Sequence, residues 1–254
     1  MKKLLGVLVL TACSTTSSAE LCKDFGPQTP RDLTSKTGTN PVQFGFAPAP
    51  ENLNLCNIHF HKNAEHKASG FSLSGGEGDF GGWKCNETAS LSKELLAKPG
   101  VNNCENVTVG DTIEVHWVHS SCDVQPGPGL GSCLSDSCAN PSLRVETKVF
   151  LLVNDPKAQS FDEFAEGGKS GEYNQAKTLP NRDDALQFLG STTGPKFTEE
   201  TCSPLQVTWN VSQSCQMLDV NSLSKWCESN AFNENKAHGV RQIVTSPELL
   251  SEIK

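Results

Sequence analysis

Short alternations of apolar and polar residues, rather than helical periodicities, are the main pattern along this chain. Successive side chains of a strand point to opposite faces, so an alternation of this kind predicts β-structure. The pattern predicts four strands, over residues 55–61, 111–119, 143–153 and 204–212. Residues 218–230 predict a short helix, whereas the polar residues 155–185 predict a helix or an irregular segment.

The spacing of these elements predicts the fold class. We find no internal repeat and no linker-like composition within residues 20–254, which indicates a single domain. We expect a mainly β protein with short helices, of the α+β class, built around one large, twisted, mostly antiparallel central sheet. Residues 122–141 are rich in Gly, Pro and Cys and predict a loop held by disulfide bridges.

The N-terminus has the composition of an export signal. Two lysines precede an apolar run over residues 4–12, which is typical of a secretory signal and too short to span a membrane. Residues 10–13 resemble a bacterial lipobox that would place a lipid on Cys13, while residues 17–19 form an alternative small-residue cleavage site. We therefore expect residues 1–19 to form an export signal, which would end at Cys13 if that cysteine is lipidated. The mature protein would be periplasmic or secreted, or an outer-membrane lipoprotein that meets the membrane only through Cys13.

The cysteine count supports an oxidising compartment. The chain has 11 cysteines, of which Cys13 is lost or lipidated under either cleavage. An even set of cysteines in an exported chain predicts a disulfide framework, here of up to about five bridges, whose connectivity the sequence does not determine.

The formal net charge of −8 and the lack of a basic patch exclude nucleic acid as a partner, because such binding needs Lys and Arg to neutralise phosphate.

Three histidines on two of the predicted strands suggest a metal site. His59 and His61 are two residues apart, so they share a face of the first strand, and His116 lies on the second. Three neutral imidazoles with a fourth position open to water are typical of a catalytic zinc ion. Glu114 shares the His116 face and suits a hydrogen-bond partner that orients a ligand imidazole. His119 falls on the opposite face.

Several ordered motifs resemble those of carbonic anhydrases, most closely the delta class. The resemblance spans nearly all of residues 22–245, and its motifs lie at residues 26–32, 57–61, 64–66, 114–119, 190–195, 207–211 and 240–242. It implies a fold like that of the alpha carbonic anhydrases for residues 20–254. It also implies zinc-dependent, reversible hydration of carbon dioxide to bicarbonate and a proton. The oligomeric state does not follow from the sequence.

The resemblance implies roles around the metal. His59, His61 and His116 would bind Zn²⁺. Glu114 would support His116, and Asn57 would hydrogen-bond a ligand histidine.

The resemblance also implies roles around the substrate. Thr192 or Thr193 would accept a hydrogen bond from the attacking hydroxide, and Glu65 would accept the hydrogen bond passed on by that threonine. Val118 would line an apolar pocket for carbon dioxide.

The resemblance also implies one disulfide bridge, and elimination leaves two candidates for the proton shuttle. A bridge between Cys22 and Cys202 is implied, as in exported alpha-type enzymes. His238 and His66 are candidates for the proton shuttle only by elimination, because no histidine precedes the first ligand strand.

Two other functions fit part of the pattern. The sequence His59-x-His61-x3-Glu65 fits a cupin metalloenzyme, in which Glu65 would bind iron or manganese. Alternatively, the chain could be an exported metal-binding or carbohydrate-binding module with an inert metal site. The complete set of three histidines with Glu114 favours the enzyme.

Overall fold

A computed structural model describes residue 22, residues 24–192, residue 197 and residues 201–240 and 244–254. Within them the strands are β1 (Asn54–Lys62), β2 (Phe71–Ser74), β3 (Trp83–Cys85), β4 (Thr112–Ser120), β5 (Leu143–Val153), β6 (Glu166–Ser170), β7 (Tyr173–Ala176), β8 (Leu186–Ser191) and β9 (Gln206–Asp219). One α-helix, α1 (Val220–Glu228), follows β9 directly. The expected export signal and Thr193 lie outside the described residues.

Five strands form the central sheet, in the order β1-β4-β5-β9-β8. The pairs β1–β4, β4–β5 and β8–β9 are antiparallel, whereas β5 and β9 run parallel. Two small hairpins, β2–β3 and β6–β7, lie outside this sheet. The expectation of a mainly β, single-domain protein around a mostly antiparallel sheet is confirmed, with one parallel pair that makes the sheet mixed.

The predicted elements match the structure where the strands are buried. The third predicted strand coincides with β5, and the predicted helix lies over α1. The interpretation of residues 155–185 as helical or irregular was wrong for the β6–β7 hairpin that they contain, whereas the residues on either side of the hairpin are largely irregular. Most side chains of β6 are exposed, and Gly168 and Gly171 take positive φ values of 88° and 63°. A strand without a buried face carries no alternation to detect.

The central sheet separates two apolar layers. Val118 of β4 packs with Val145, Val149 and other residues on one face. Trp117, its neighbour in sequence, packs on the other face beneath α1. Burial of each such side chain contributes about 1.5–3 kcal/mol. The β4 side chains therefore divide between the two faces of the sheet as the sequence predicted.

Five disulfide bridges join the ten cysteines of the described residues. They are Cys22–Cys202, Cys56–Cys133, Cys85–Cys215, Cys104–Cys227 and Cys122–Cys138. The first is the pair that the family resemblance implied, and two others hold the loop predicted over residues 122–141. Among the described residues, no helix combines the length and apolar character that crossing a membrane would need.

Candidate metal centre

Three histidines meet where β1 and β4 pair. His59 lies opposite His116 in the antiparallel register, and His61 lies one pleat further on the same face. One nitrogen from each ring falls within 4.8 Å of the other two. Nδ1 of His116 and Nε2 of His59 are 3.2 Å apart. Nitrogens held by tetrahedral Zn²⁺ at about 2.0–2.1 Å lie about 3.4 Å from each other, so the observed spacing fits a zinc site.

Each of these imidazoles has one nitrogen engaged by a different kind of acceptor. The partners are Asn57 Oδ1 for His59 Nδ1 at 2.7 Å, Gly239 O for His61 Nδ1 at 2.9 Å, and Glu114 Oε1 for His116 Nε2 at 2.7 Å. The remaining nitrogens, Nε2, Nε2 and Nδ1, are those available to a metal. Nε2 of His61 is buried and has no hydrogen-bond partner in the described part of the chain. An orphaned buried nitrogen of this kind is costly unless an ion or water fills the site.

The electrostatic environment keeps His59 and His61 neutral and Glu114 charged. Burial, together with the neighbouring imidazoles, lowers the pKa of His59 well below its usual range and that of His61 to about 4. Burial by itself raises the pKa of Glu114, but His66 and His116 outweigh that effect and hold it well below the usual value. A neutral imidazole is the form that binds a metal. The donor set therefore fits Zn²⁺.

His66, one of the two shuttle candidates, does not reach solvent. Its side chain is fully buried, and its Nδ1 bonds Oε1 of Glu114 at 2.7 Å. Its backbone N–H also donates to Glu114, at 3.1 Å. A ring without contact with solvent cannot pass a proton directly to it. His66 instead helps to fix the carboxylate that supports His116.

His238, the other candidate, lies at the edge of the centre. Its ring centroid is 5.5 Å from that of His59 and 5.6 Å from that of His61, and about half of its side chain is exposed. It contacts Glu234 at 2.9 Å, and this hydrogen bond raises the pKa of His238. Together with Asp79 it lines an open polar pocket. His238 is therefore placed between the metal ligands and solvent.

A small apolar cavity of about 20 Å³ adjoins the histidines. Its lining consists of His59, His116, Val118, Leu130, Leu143, Val145, Thr192, Val207 and Trp209. A cavity of this size holds about one water-sized molecule. Val118 is part of this wall, and six of the nine lining residues are apolar.

The described residues do not bring Thr192 and Glu65 together in a hydrogen bond. The hydroxyl of buried Thr192 lies 2.8 Å from that of Ser203. Glu65 is fully buried and accepts a hydrogen bond from Nη1 of Arg31 at 3.3 Å. Its other oxygen is 3.8 Å from Nδ1 of His61 and has no hydrogen-bond partner among the residues that the structure describes.

Three contributors to the centre were not identified from the sequence. Arg31 belongs to the recognised motif at residues 26–32, but nothing in the sequence shows that its charge is buried. Gly239 acts through its carbonyl, which is independent of side-chain identity. Ser203 follows Cys202, and only the fold places it against Thr192.

Comparisons with known proteins agree with the sequence motifs. A family model described as delta carbonic anhydrase matches residues 50–222, more than half of the chain. No curated protein matches the chain. The structural matches include the Photobacterium profundum alpha-carbonic anhydrase, with 15% identity, a TM-score of 0.31 and coverage of 93% of this chain and 92% of that one.

Two more structural matches have similar values. The alpha-carbonic anhydrase from Thermovibrio ammonificans, in complex with the inhibitor sulfanilamide, has 14% identity and a TM-score of 0.30, covering 93% of this chain and 90% of that one. A halotolerant carbonic anhydrase from Dunaliella salina has 12% identity and a TM-score of 0.34, covering 96% and 92%. Because these identities and TM-scores are low, the assignment rests on the family match.

Proposed function

The chain belongs to the delta carbonic anhydrase family, and from that premise we propose that its three-histidine centre binds one Zn²⁺ and reversibly hydrates carbon dioxide to bicarbonate and a proton. The observation that carries the proposal is the convergence of three imidazole nitrogens beside an apolar cavity. The opposite nitrogen of each ring is engaged by a fixed acceptor.

The three histidines would hold the ion through Nε2 of His59, Nε2 of His61 and Nδ1 of His116. When bound, a zinc ion acts as a Lewis acid that makes hydroxide available from water near neutral pH. Asn57 and the Gly239 carbonyl keep the protons of His59 and His61 on Nδ1, away from the site. Glu114, as an anion, orients His116 and increases its basicity.

The cavity provides the place for carbon dioxide. The molecule is small and has no net charge or dipole, so an apolar wall with Val118, Val145 and Trp209 suits it without strong anchors. Thr192 also faces this cavity. We assign it as the first candidate to orient the hydroxide through its Oγ1, with Thr193 as the alternative.

His238 is our candidate for carrying the proton outward. It is half-exposed next to two of the ligands, and Glu234 holds its ring through a hydrogen bond. A histidine that titrates near neutral pH suits this role. We assign Glu65 the role of a buried negative charge near His61, which the guanidinium of Arg31 balances.

Export follows as part of the same proposal. Five bridges indicate an oxidising compartment. We propose that residues 1–19 direct export to the periplasm or the medium, with a lipid on Cys13 as the alternative outcome. The mass of the mature N-terminal peptide distinguishes the two.

The decisive experiment combines metal analysis with stopped-flow hydration kinetics. We expect one Zn²⁺ per chain, and we expect His116→Ala to lose both the metal and the activity because one of three ligands is gone. His119→Gln is the matched control, since His119 lies on the same strand with its side chain on the opposite face. It should keep both. Iron bound through Glu65, as in the cupin hypothesis, or full activity without zinc would contradict the proposal.

The threonine variants test the substrate side separately. Thr192→Val should retain zinc but lower kcat by roughly 100-fold or more, the range for loss of one orienting hydrogen bond in a closed site. Thr193→Val serves as the comparison. A larger loss for Thr193→Val would assign the role to Thr193, and full activity of both variants would remove the threonine step from the mechanism.

The cupin alternative receives no support from the site. Glu65 faces Nδ1 of His61, the nitrogen that bonds Gly239, rather than Nε2. Its second oxygen is taken by Arg31. A carboxylate paired with an arginine is poorly placed to act as a metal ligand.

A further inference from the structure

The loop between β4 and β5 is tied to the strand that carries two of the proposed zinc ligands. We refer to residues 122–138 as the stapled loop. Cys122–Cys138 closes the loop on itself, and Cys56–Cys133 joins it to β1. Cys56 lies in the irregularity of the β1–β4 pairing between Leu55 and Asn57. The anchor point is therefore three residues from His59.

A continuous series of hydrogen bonds runs from this anchor to His59. The Gly127 N–H donates to the carbonyl of Cys56 at 3.0 Å. The Gly127 carbonyl accepts from Nδ2 of Asn57, also at 3.0 Å. Oδ1 of Asn57 then lies 2.7 Å from Nδ1 of His59. The Asn57 side chain is almost fully buried, at 1% exposure, so no water replaces these partners.

The two ends of the Asn57 amide have different roles. Because its NH₂ group points to the Gly127 carbonyl, its oxygen must point to His59. That oxygen accepts only from a protonated Nδ1, which leaves Nε2 of His59 free for a metal. If Gly127 moved, the amide would be able to rotate and the His59 tautomer would no longer be set.

The stapled loop also contributes to the cavity. Leu130 lines it together with His59 and His116. Ser120 of β4 donates to the Cys133 carbonyl at 2.7 Å, and Asn54 of β1 donates to the Cys122 carbonyl at 2.9 Å. The loop is thus fixed to both ligand strands at the cavity.

We propose that the Cys56–Cys133 bridge is a positioning element of the metal centre, which acts through Gly127 and Asn57 to hold His59 ready for zinc. The inference rests on the proposed zinc site and adds to it a covalent support outside the ligand set. The bridge contacts neither the metal position nor the substrate cavity directly. Its effect should therefore appear first in how long zinc stays bound.

The test measures zinc release from the folded protein into excess chromogenic chelator. We expect the double variant Cys56→Ala with Cys133→Ala to release zinc at least about 10-fold faster, the lower end of the effect of partners that orient a ligand. The matched control removes Cys104–Cys227, a bridge of the opposite layer that joins Cys227 of α1 to Cys104. That control should release zinc at the wild-type rate. Equal acceleration in both double variants would indicate general loosening and overturn the proposal.

A second variant keeps the test decisive if the bridge variant does not fold. Asn57→Ala leaves all bridges intact, and it should accelerate zinc release by a similar factor. If the protein that carries Asn57→Ala together with the bridge substitutions folds, it should release zinc at about the same rate as Asn57→Ala alone. The reason is that the bridge acts through the Asn57 side chain. Wild-type release from Asn57→Ala, or from a folded bridge variant, overturns the inference. Failure of the wild-type protein to bind zinc would instead count against the proposed function.

Discussion

At the scale of single residues, the centre depends on where each imidazole places its proton. Three chemically different acceptors, an amide oxygen, a backbone carbonyl and a carboxylate, each engage one ring nitrogen. Each bond fixes both the ring orientation and the tautomer. The consequence is clearest at His61, whose buried Nε2 has no hydrogen-bond partner among the described residues and faces the metal position.

Arg31 has a role that the sequence did not indicate. Its guanidinium pairs with fully buried Glu65 and is itself only 6% exposed. We expect Arg31→Met to reduce the free energy of unfolding by about 3–5 kcal/mol, because removal of one partner leaves a buried charge uncompensated. Urea titration of the zinc-free protein measures this. Adding Glu65→Gln should restore part of the loss, and a single variant as stable as the wild type would show that the pair is not important.

The same pair has a pH signature. Burial raises the pKa of Glu65, but His61, which becomes charged only at acid pH, and Arg31 outweigh burial and lower the pKa to about 2. For a carboxylate with a lowered pKa, the stabilisation is complete above the unfolded value of about 4.3 and is lost as the pH falls toward 2. In Arg31→Met this part of the acid dependence should become smaller, since the folded pKa moves toward the unfolded one.

At the scale of elements, the site forms because the paired antiparallel strands β1 and β4 place alternate side chains on the same face of the sheet. Because side chains alternate between faces, β4 directs Glu114, His116 and Val118 to the metal side and Trp117 to the core beneath α1. The register then sets His116 opposite His59. A shift of one residue in either strand would send its ligands to the wrong layer.

Substitution of Val118 tests whether β4 forms one wall of the substrate cavity. We expect Val118→Phe to fill the cavity of about 20 Å³ and to lower kcat/KM for carbon dioxide by about 100-fold, since displaced substrate loses its attack geometry. Zinc content should not change, because Val118 offers no ligand atom. Val118→Ala, which enlarges the same cavity, is the control and should have a much smaller effect. Unchanged kcat/KM in Val118→Phe would place the substrate elsewhere.

At the scale of the whole molecule, the fold is held by bridges that reach distant parts of the chain. The sequence separation of the bridged cysteines ranges from 16 for Cys122–Cys138 to 180 for Cys22–Cys202. In the chain-entropy account, a bridge contributes typically about 2–4 kcal/mol by restricting the unfolded state, and more for longer loops. We therefore expect a scaffold that does not need the metal to fold.

Metal removal tests whether the fold is independent of the ion. We expect the zinc-free protein to keep its far-UV circular dichroism spectrum, while added zinc raises Tm. Free zinc at about 1,000 times its Kd stabilises the folded state by about 4 kcal/mol. His116→Ala is the control and should show little or no rise. Loss of secondary structure on chelation would mean that the ion, rather than the bridges, maintains the fold.

Much of this molecule follows from local patterns in the sequence. Alternation in the sequence placed β1, β4 and β5 and indicated which side chains share a face, because successive side chains of a strand point to opposite faces. The two-residue spacing of His59 and His61 was enough to place both side chains on one face, because side chains two apart in a strand point the same way. The motifs at residues 26–32, 57–61 and 114–119 indicated the family.

The remaining features depend on contacts between segments far apart in the chain. The partner of His61 is a carbonyl 178 residues away, and Arg31 meets Glu65 across 34 residues. Apart from Cys22–Cys202, which the family resemblance implied, the bridges have many alternative pairings that the sequence does not distinguish. The sequence by itself therefore determined which residues share a face, since that depends on the pleat alone. Only the tertiary structure decided which atoms face each other, since packing brings those segments together.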